Sequence, residues 1–191
     1  MIKNRDYCKY TYLHRRALEY YIQKNILLTW EEKDLLLERA RIHDMDKMLL
    51  YFFWEKEAAS KYHREHSSHH LTKWKDYSYY DLLESIFDYE CAALTKPDKP
   101  LNAYDTVLKY YSEFSEEYLP ILKRLDMDSS YLAVSENDKE FINQFNPTEE
   151  DILNELANYL LETDDELYNK LWDKLCLKEE YIALKKLLWI H

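Results

Sequence analysis

The sequence predicts an all-α protein, and three observations carry this prediction. The chain has 191 residues and no glycine, whereas the usual frequency of about 7% would give about 13. It has only four prolines, so the residues that separate many short strands are scarce. Apolar residues recur at helical spacing, beginning with Tyr10, Leu13 and Ala17. Because no glycine is available, we expect any residue with a positive φ to be Asn or Asp.

The missing glycine also excludes several functional motifs. A P-loop and the G-x-G-x-x-G turn of dinucleotide-binding folds both need it, as does the G-x-S-x-G turn of serine hydrolases. No apolar run approaches the length of about 18 residues that a membrane span requires. The three cysteines lie far apart, which favours free thiols in a reducing compartment. We therefore expect a cytoplasmic protein that does not enter a membrane.

The net charge of −11 arises entirely in the second half of the chain. Residues 1–100 contain 17 basic and 17 acidic residues, whereas residues 101–191 contain 9 and 20. Nonspecific binding of nucleic acid needs a basic face, so we do not expect this class of function. The acidic half is either a solvated surface or a face that docks a basic partner.

The first two helices are predicted from apolar spacing and a capping motif. Asp6–Lys24 forms the first helix, and His14 lies beside its apolar stripe. Thr29 and Glu32 make a capping box that starts a second helix, which we expect to end at His43.

Two further helices complete the predicted N-terminal half. The third runs from near Asp46 to Tyr62, and it is apolar around most of its first half, which indicates a central position. A polar loop follows it. Ser78 and Asp81 then cap the fourth helix, Tyr79–Leu94.

The C-terminal half is predicted to continue as helices. Pro97–Pro100 is the clearest break in the chain, and Pro120 is expected to start or kink a short helix. The remaining helices are predicted over Asn102–Tyr118, Ser135–Phe145, Thr148–Glu162 and Asp165–Leu188, the last in one piece or two. The break and the change in charge divide the chain into a core, residues 1–125, and an acidic helical extension, residues 126–191, which we expect to pack on the core.

Histidines are concentrated in the predicted core. Six of the seven lie within the first 70 residues: His14, His43, His63, His66, His69 and His70. Imidazole suits transition metals, and carboxylates complete mixed sites. His43 is followed directly by Asp44. Neighbours on a helix point about 100° apart, so both can reach one metal only near a helix end, which is where the capping motif places them.

Asp88 is a third candidate ligand. It lies in the middle of the fourth helix, in the run Ile86-Phe-Asp-Tyr-Glu90. An aspartate inside a helix and next to its apolar face is unfavourable in propensity and in burial. Such a residue is usually paired, or it binds a metal.

The order His14, His43-Asp44, Asp88 resembles the H…HD…D signature of the HD-domain metal-dependent phosphohydrolase superfamily, whose members are all-α. The run His43-Asp-Met-Asp-Lys47 is similar to the frequent HD-x-G-K form, with Asp46 where glycine is common. Many dinuclear members carry a further histidine and then a histidine pair, and this chain has His63 and then His69-His70. The resemblance covers about residues 10–115.

The resemblance implies a site for one or two metal ions. His14, His43, Asp44 and Asp88 would hold the first ion. Asp44 would also reach a second ion, held by His63 with His69 or His70. The ligand types favour Mn²⁺, Fe²⁺, Co²⁺ or Zn²⁺ over Ca²⁺, and Mg²⁺ is a further candidate.

The same resemblance implies a small phosphorylated substrate. Asp44 would serve the catalytic centre, and Lys47 and Arg64 would neutralise phosphate charge, with Arg15 and Arg16 as further candidates. Trp74, in the polar loop, is placed to stack on a ligand. Glu84 lies one turn before Asp88 and would orient a ligand or move a proton.

Each of these residues also has a structural interpretation. His14 can be a partly exposed helix residue, and His43-Asp44 can be a plain helix end. Asp88 can lie on an exposed face. His63, His66 and His70 would form a solvated stripe if their helix continued through Ser67-Ser68.

Three functions therefore remain open at this point. The first is metal-dependent hydrolysis of a nucleotide-like or other small phosphoester by a metal-activated water. The second is an inert module of the same fold that binds a nucleotide or a metal. The third is a helical interaction protein, with the helices from Thr148 onward as core or as the interface of a homo-oligomer.

Overall fold

The computed structural model confirms the all-α class. It describes residues 4–72, 76–96, 101–131, 134–167 and 178–188, and within these ranges there is no strand. The helices are α1 Arg5–Lys24, α2 Trp30–Ile42, α3 Met45–Leu50, α4 Lys56–His66, α5 Tyr79–Thr95, α6 Ala103–Tyr110, α7 Ser115–Arg124, α8 Glu136–Asn143, α9 Glu149–Leu167 and α10 Lys178–Leu187, with a 3₁₀ turn over Ser112–Phe114. None of the described helices has the length and apolar character needed to cross a membrane.

The predicted capping motifs start the helices that carry the site. The Thr29 hydroxyl accepts from the Glu32 N–H, and the Glu32 carboxylate accepts from the Thr29 N–H. The same reciprocal pair joins Ser78 and Asp81 at the start of α5. These short-range bonds satisfy backbone donors that the first helical turn leaves without partners.

The single helix predicted from Asp46 to Tyr62 is wrong. In the structure α3 ends at Leu50, the chain turns, and α4 begins at Lys56. The turn contains the four aromatic residues from Tyr51 to Trp54. In a continuous helix their side chains would lie on all faces of the helix. The turn lets these side chains pack on one apolar cluster. It removes some helical backbone hydrogen bonds, but aromatic residues have only a modest helix propensity.

The helix predicted over Asn102–Tyr118 is also wrong, because two helices occupy this region. α6 ends at Tyr110, and α7 begins at Ser115 after the 3₁₀ turn. Pro120 lies inside α7 rather than at its start. The turn redirects the chain so that Phe114 and Tyr118 are both buried in the main core.

Two apolar clusters form the core. The larger one joins α1, α2, α5, α6 and α7, and α1 packs against both α5 and α2. The smaller one joins α3 and α4 to the C-terminal helices, where Ile152, Leu156 and Leu160 of α9 are buried with Met48 and Leu49 of α3. The described part of the acidic half therefore shares a core with the residues that follow His43-Asp44.

The two described residues with positive φ are both aspartates, as the absence of glycine predicts: Asp44 at 60° and Asp126 at 56°. Asp126 follows α7, and the Met127 N–H bonds the Leu122 carbonyl at 2.9 Å, which is the pattern of a left-handed helix end. Asp44 lies between α2 and α3, at the start of the candidate site.

Candidate metal centre

The backbone between α2 and α3 turns two neighbouring side chains toward one place. α2 ends at Ile42, and the His43 N–H still bonds the Ala40 carbonyl. Asp44 then adopts the left-handed conformation, which aspartate tolerates better than most residues. As a result, His43 Nε2 and Asp44 Oδ1 lie 3.8 Å apart, and both side chains are buried.

His14, His43 and Asp88 form the first group of candidate ligands. Their ligand atoms lie within 4.8 Å of one another, and all three residues are buried. His14 Nε2 is 2.7 Å from Asp88 Oδ1, and His43 Nε2 is 3.9 Å from the same oxygen. The packing of α1 on α5 brings His14 and Asp88 together across 74 residues of sequence.

Asp44, His63, His69 and His70 form a second group under the same 4.8 Å limit. His63 is in the last turn of α4, which ends at His66, so His69 and His70 lie on the segment after the helix. Asp44 Oδ1 is 2.7 Å from His63 Nε2 and 3.7 Å from His69 Nε2. Asp44 thus lies between the two groups, close to a histidine of each.

Three buried atoms at this centre lack a hydrogen-bond partner among the described residues: His43 Nε2, Asp44 Oδ1 and His63 Nε2. His63 Nε2 and Asp44 Oδ1 form an ion pair at 2.7 Å, but they lack the alignment of a hydrogen bond. Buried polar atoms are usually bonded, and an unsatisfied one is unfavourable. Atoms of these types, converging on one place, could hold a metal ion.

The second nitrogen of each of four histidines is held by an outer group. His14 Nδ1 is 3.2 Å from the Thr95 hydroxyl, His43 Nδ1 is 2.8 Å from Glu84 Oε1, His63 Nδ1 is 2.9 Å from Asp46 Oδ1, and His69 Nδ1 is 2.8 Å from the Ser67 hydroxyl. Such partners fix the ring orientation and the tautomer, and leave Nε2 for a metal.

Glu84 connects the two groups. Its Oε1 also lies 3.4 Å from His69 Nδ1, and its Oε2 accepts from Arg39 Nε at 2.6 Å. Arg39 in turn pairs with Asp81. His43, His69 and Glu84 form a third group of candidate ligands. The roles of Arg39 and Asp46 were not predicted, and for Arg39 the sequence carries no signal that distinguishes it from other helix arginines.

Lys47 neutralises Asp44. Its Nζ lies 2.6 Å from Asp44 Oδ2, one turn into α3. Burial alone would raise the pKa of Asp44, but the charges of Lys47 and His63 hold that pKa well below its usual range. Burial opposes the charge of Lys47 as well, yet Asp44 raises the Lys47 pKa. One oxygen of Asp44 is therefore occupied by a cation, while the other faces the histidines.

The buried histidines differ in their protonation. Burial lowers the pKa of His14, and burial together with the charge of His43 lowers that of His69. Burial also lowers the pKa of His70 to about 2. By contrast, Asp44 and Asp46 outweigh burial at His63 and raise its pKa to about 10. Three imidazoles are thus neutral at pH 7, the form that binds a metal.

Other candidate residues lie elsewhere. Arg64 is on the exposed side of α4, and His66 is exposed, with its ring stacked on Tyr62. Trp74 lies outside the described residues. Arg15 and Arg16, candidates for phosphate charge, both pair with Glu155 and tie α1 to α9.

Comparisons with protein-family models, with curated proteins and with solved structures found no match. The structure brings all seven predicted ligands together: His14, His43, Asp44, His63, His69, His70 and Asp88. These buried His, Asp and Glu groups can hold a metal ion.

Proposed function

We propose that this protein binds one or two divalent transition-metal ions around Asp44 and hydrolyses a small, nucleotide-like or other phosphoester. The observation that carries the proposal is that Asp44 Oδ1 and the Nε2 atoms of His43 and His63 lie close together, buried and without hydrogen bonds among the described residues. The resemblance of the ordered His and Asp series to HD-domain phosphohydrolases supports the choice of reaction.

The proposal assigns a place to each ligand. His14, His43 and Asp88 would hold one ion together with Asp44, and His63, His69 and His70 would hold a second with the same carboxylate. The mixed nitrogen and oxygen ligands suit Mn²⁺, Fe²⁺, Co²⁺ or Zn²⁺, with Mg²⁺ less favoured by so many imidazoles. When bound, such ions supply Lewis acidity and lower the pKa of a water molecule.

The chain's own residues have distinct tasks in this scheme. Lys47 keeps Asp44 ionised, and Glu84 and Asp46 hold the rings of His43 and His63 in the orientation that presents Nε2. Because the site is buried, these charges act in a medium of low dielectric constant and are stronger than in water.

Metal analysis of the purified full-length protein tests the first part. We expect at least one equivalent of a transition metal after supplementation and dialysis, and its loss in His43→Ala. His66→Ala is the matched control, since it removes an exposed histidine from the same region and should keep the wild-type metal content. Metal-free wild-type protein after supplementation would contradict the proposal.

A turnover assay tests the second part. The metal-loaded protein should release phosphate or a nucleotide from at least one compound in a panel of nucleotides, phosphomonoesters and phosphodiesters, and His43→Ala should not. Full metal content without turnover of any compound would reject the hydrolase and favour the metal- or nucleotide-binding module.

A further inference from the structure

The hydroxyl of Tyr10 is buried beside the first ligand group and has no hydrogen-bond partner among the described residues. Tyr10 lies one helical turn before His14 on α1, and the two rings are stacked, with centroids 5.7 Å apart and planes 14° apart. A buried phenol hydroxyl usually finds a partner. A position that only needed an apolar ring would be better filled by phenylalanine, so the unbonded hydroxyl needs an explanation.

The charges acting on this hydroxyl are those of the candidate metal centre. Burial raises the pKa of Tyr10, the charge of Lys47 lowers it, and the carboxylates of Asp44 and Asp88 raise it, with burial outweighing the rest. A phenol hydroxyl is in any case a hydrogen-bond donor at neutral pH. The neighbouring Thr95 hydroxyl donates to the Ala92 carbonyl and contacts His14 Nδ1.

A cation lies against the same ring. Lys96 follows the last residue of α5, and its Nζ is 5.1 Å from the centroid of the Tyr10 ring. Within the described part of the chain, no carboxylate lies within 4 Å of this ammonium group. Lys47 differs in this respect, because its charge is already matched by Asp44. Lys96 is thus a partly buried cation against the ring of Tyr10, whose hydroxyl has no hydrogen-bond partner among the described residues.

We propose that the Tyr10 hydroxyl and the Lys96 ammonium group bind the phosphate group of the substrate at the His14–Asp88 end of the metal centre. A phosphate oxygen would accept from the Tyr10 hydroxyl, and the Lys96 charge would offset the charge of the anion. The inference rests on the proposed function, because it assumes that the centre acts on phosphoesters. It adds the residues that recognise the phosphate, which the H…HD…D series does not include.

Binding of inorganic phosphate to the Mn²⁺-loaded full chain tests this assignment without requiring turnover. Calorimetry should compare the wild type with Tyr10→Phe and Lys96→Met, and manganese content should be measured for each sample. Tyr20→Phe is the control for loss of a hydroxyl, since Tyr20 is on α1 but stacks on Phe141. Lys123→Met is the control for loss of a positive charge, from an exposed position of α7.

We expect Tyr10→Phe to keep full manganese content and thermal stability while its dissociation constant for phosphate rises about tenfold, the effect of one hydrogen bond to an anion. Lys96→Met should weaken phosphate binding to a similar extent and reduce its dependence on salt concentration. Both controls should bind phosphate as the wild type does. A change in phosphate affinity and in its salt dependence, at unchanged manganese content, distinguishes phosphate binding from a purely structural role.

Several results would overturn the assignment. Tyr10→Phe and Lys96→Met with wild-type affinity for phosphate would reject it while leaving the proposed function intact. A metal-loaded wild type that does not bind phosphate would reject it as well, and loss of manganese in Tyr10→Phe would show that the residue supports the metal instead. A wild type without metal would reject the proposed function itself, which the manganese measurement reveals separately. Lys96→Met keeps the test decisive if Tyr10→Phe does not fold.

Discussion

Lys47 and Asp44 form a largely buried ion pair in which Nζ lies 2.6 Å from Oδ2. The pair divides the two oxygens of Asp44 between different tasks, because Oδ1 has no hydrogen bond among the described residues and faces the histidines. Removing one partner of a buried pair usually destabilises a protein strongly, since the remaining charge is buried and unmatched.

We therefore expect Lys47→Met to lower the free energy of unfolding by about 3 kcal/mol in the presence of a chelator. Saturating Mn²⁺ should recover part of this loss, because a bound cation would compensate Asp44 in place of Lys47. Chemical denaturation with and without metal measures both effects. Lys139→Met is the control, since its pair with Glu136 is exposed. An equal loss with and without Mn²⁺ would contradict the link between Lys47 and the metal site.

The outer carboxylates predict different effects on the two ligand groups. Of the candidate ligands in the two groups, Asp46 bonds His63, whereas Glu84 contacts His43 of one group and His69 of the other. Substitution of such outer partners typically weakens metal binding 10- to 100-fold. Asp46→Asn should therefore weaken one of two binding events in a Mn²⁺ titration about tenfold, and Glu84→Gln should weaken both.

Glu65→Gln is the matched control for these two variants, because it removes an exposed carboxylate from α4. Its titration should match that of the wild type. A single binding event in the wild type would contradict the two-ion part of the proposal. Equal effects of Asp46→Asn on both events would contradict the assignment of Asp46 to the His63 group alone.

Leu156 tests whether α9 is an essential part of the core. Its side chain is fully buried in the cluster that contains Met48 and Leu49, whereas Leu161 on the same helix is 63% exposed. Leu156→Ala should lower the free energy of unfolding by about 3 kcal/mol, the usual cost of a buried leucine with its cavity. Leu161→Ala should have little effect. Similar urea midpoints for the two variants would show that α9 does not contribute to the stability of the core.

Asp138 predicts a pH-dependent contribution to stability. Its Oδ1 lies 2.6 Å from Lys24 Nζ, and its Oδ2 accepts from the Tyr21 hydroxyl. Burial alone would raise the pKa of Asp138, but Lys24 and the Ser135 N–H outweigh burial and lower it. Because the folded pKa lies below the unfolded value of about 3.9, the stabilisation is present above that pH and is lost as the pH falls through the folded pKa.

Asp138→Asn should accordingly reduce the urea midpoint at pH 7, and the difference from the wild type should shrink at pH 3. Asp128→Asn, an exposed aspartate on the connection after α7, provides the comparison and should track the wild type at both values. A difference that stays constant from pH 7 to pH 3 would contradict an electrostatic origin.

Helix starts could be read from the sequence because capping is a local interaction. The bonds of Thr29 with Glu32 and of Ser78 with Asp81 span three residues, so the side chains that form them are visible as a pattern. The end of α3 was missed for the opposite reason. An aromatic run such as Tyr51 to Trp54 satisfies the pattern of a buried helix, and only its packing on the smaller cluster shows that the chain turns there.

The candidate ligands could be named in order, but their convergence could not be derived from spacing. His14 and Asp88 are 74 residues apart, and their contact depends on the rotation of α1 against α5. The sequence does not distinguish Tyr10, Lys96 and Arg39 from other residues of their types. Their proposed roles depend on contacts with residues of other helices. The pairing of Arg15 and Arg16 with Glu155 likewise depends on where α9 packs.

The amino-acid sequence by itself determined the helical class, the start of each capped helix, and the use of Asn or Asp at positive φ, which Asp44 and Asp126 fulfil among the described residues. These features depend on hydrogen bonds and steric limits within a few residues, and a chain without glycine leaves few alternatives. Tertiary structure alone decided which nitrogen and oxygen atoms lie close to Asp44, and which lysine side chains lie near the candidate metal centre. These contacts depend on how the helices pack. Helix packing is set by contacts between residues that are distant in sequence, so no single short segment determines it.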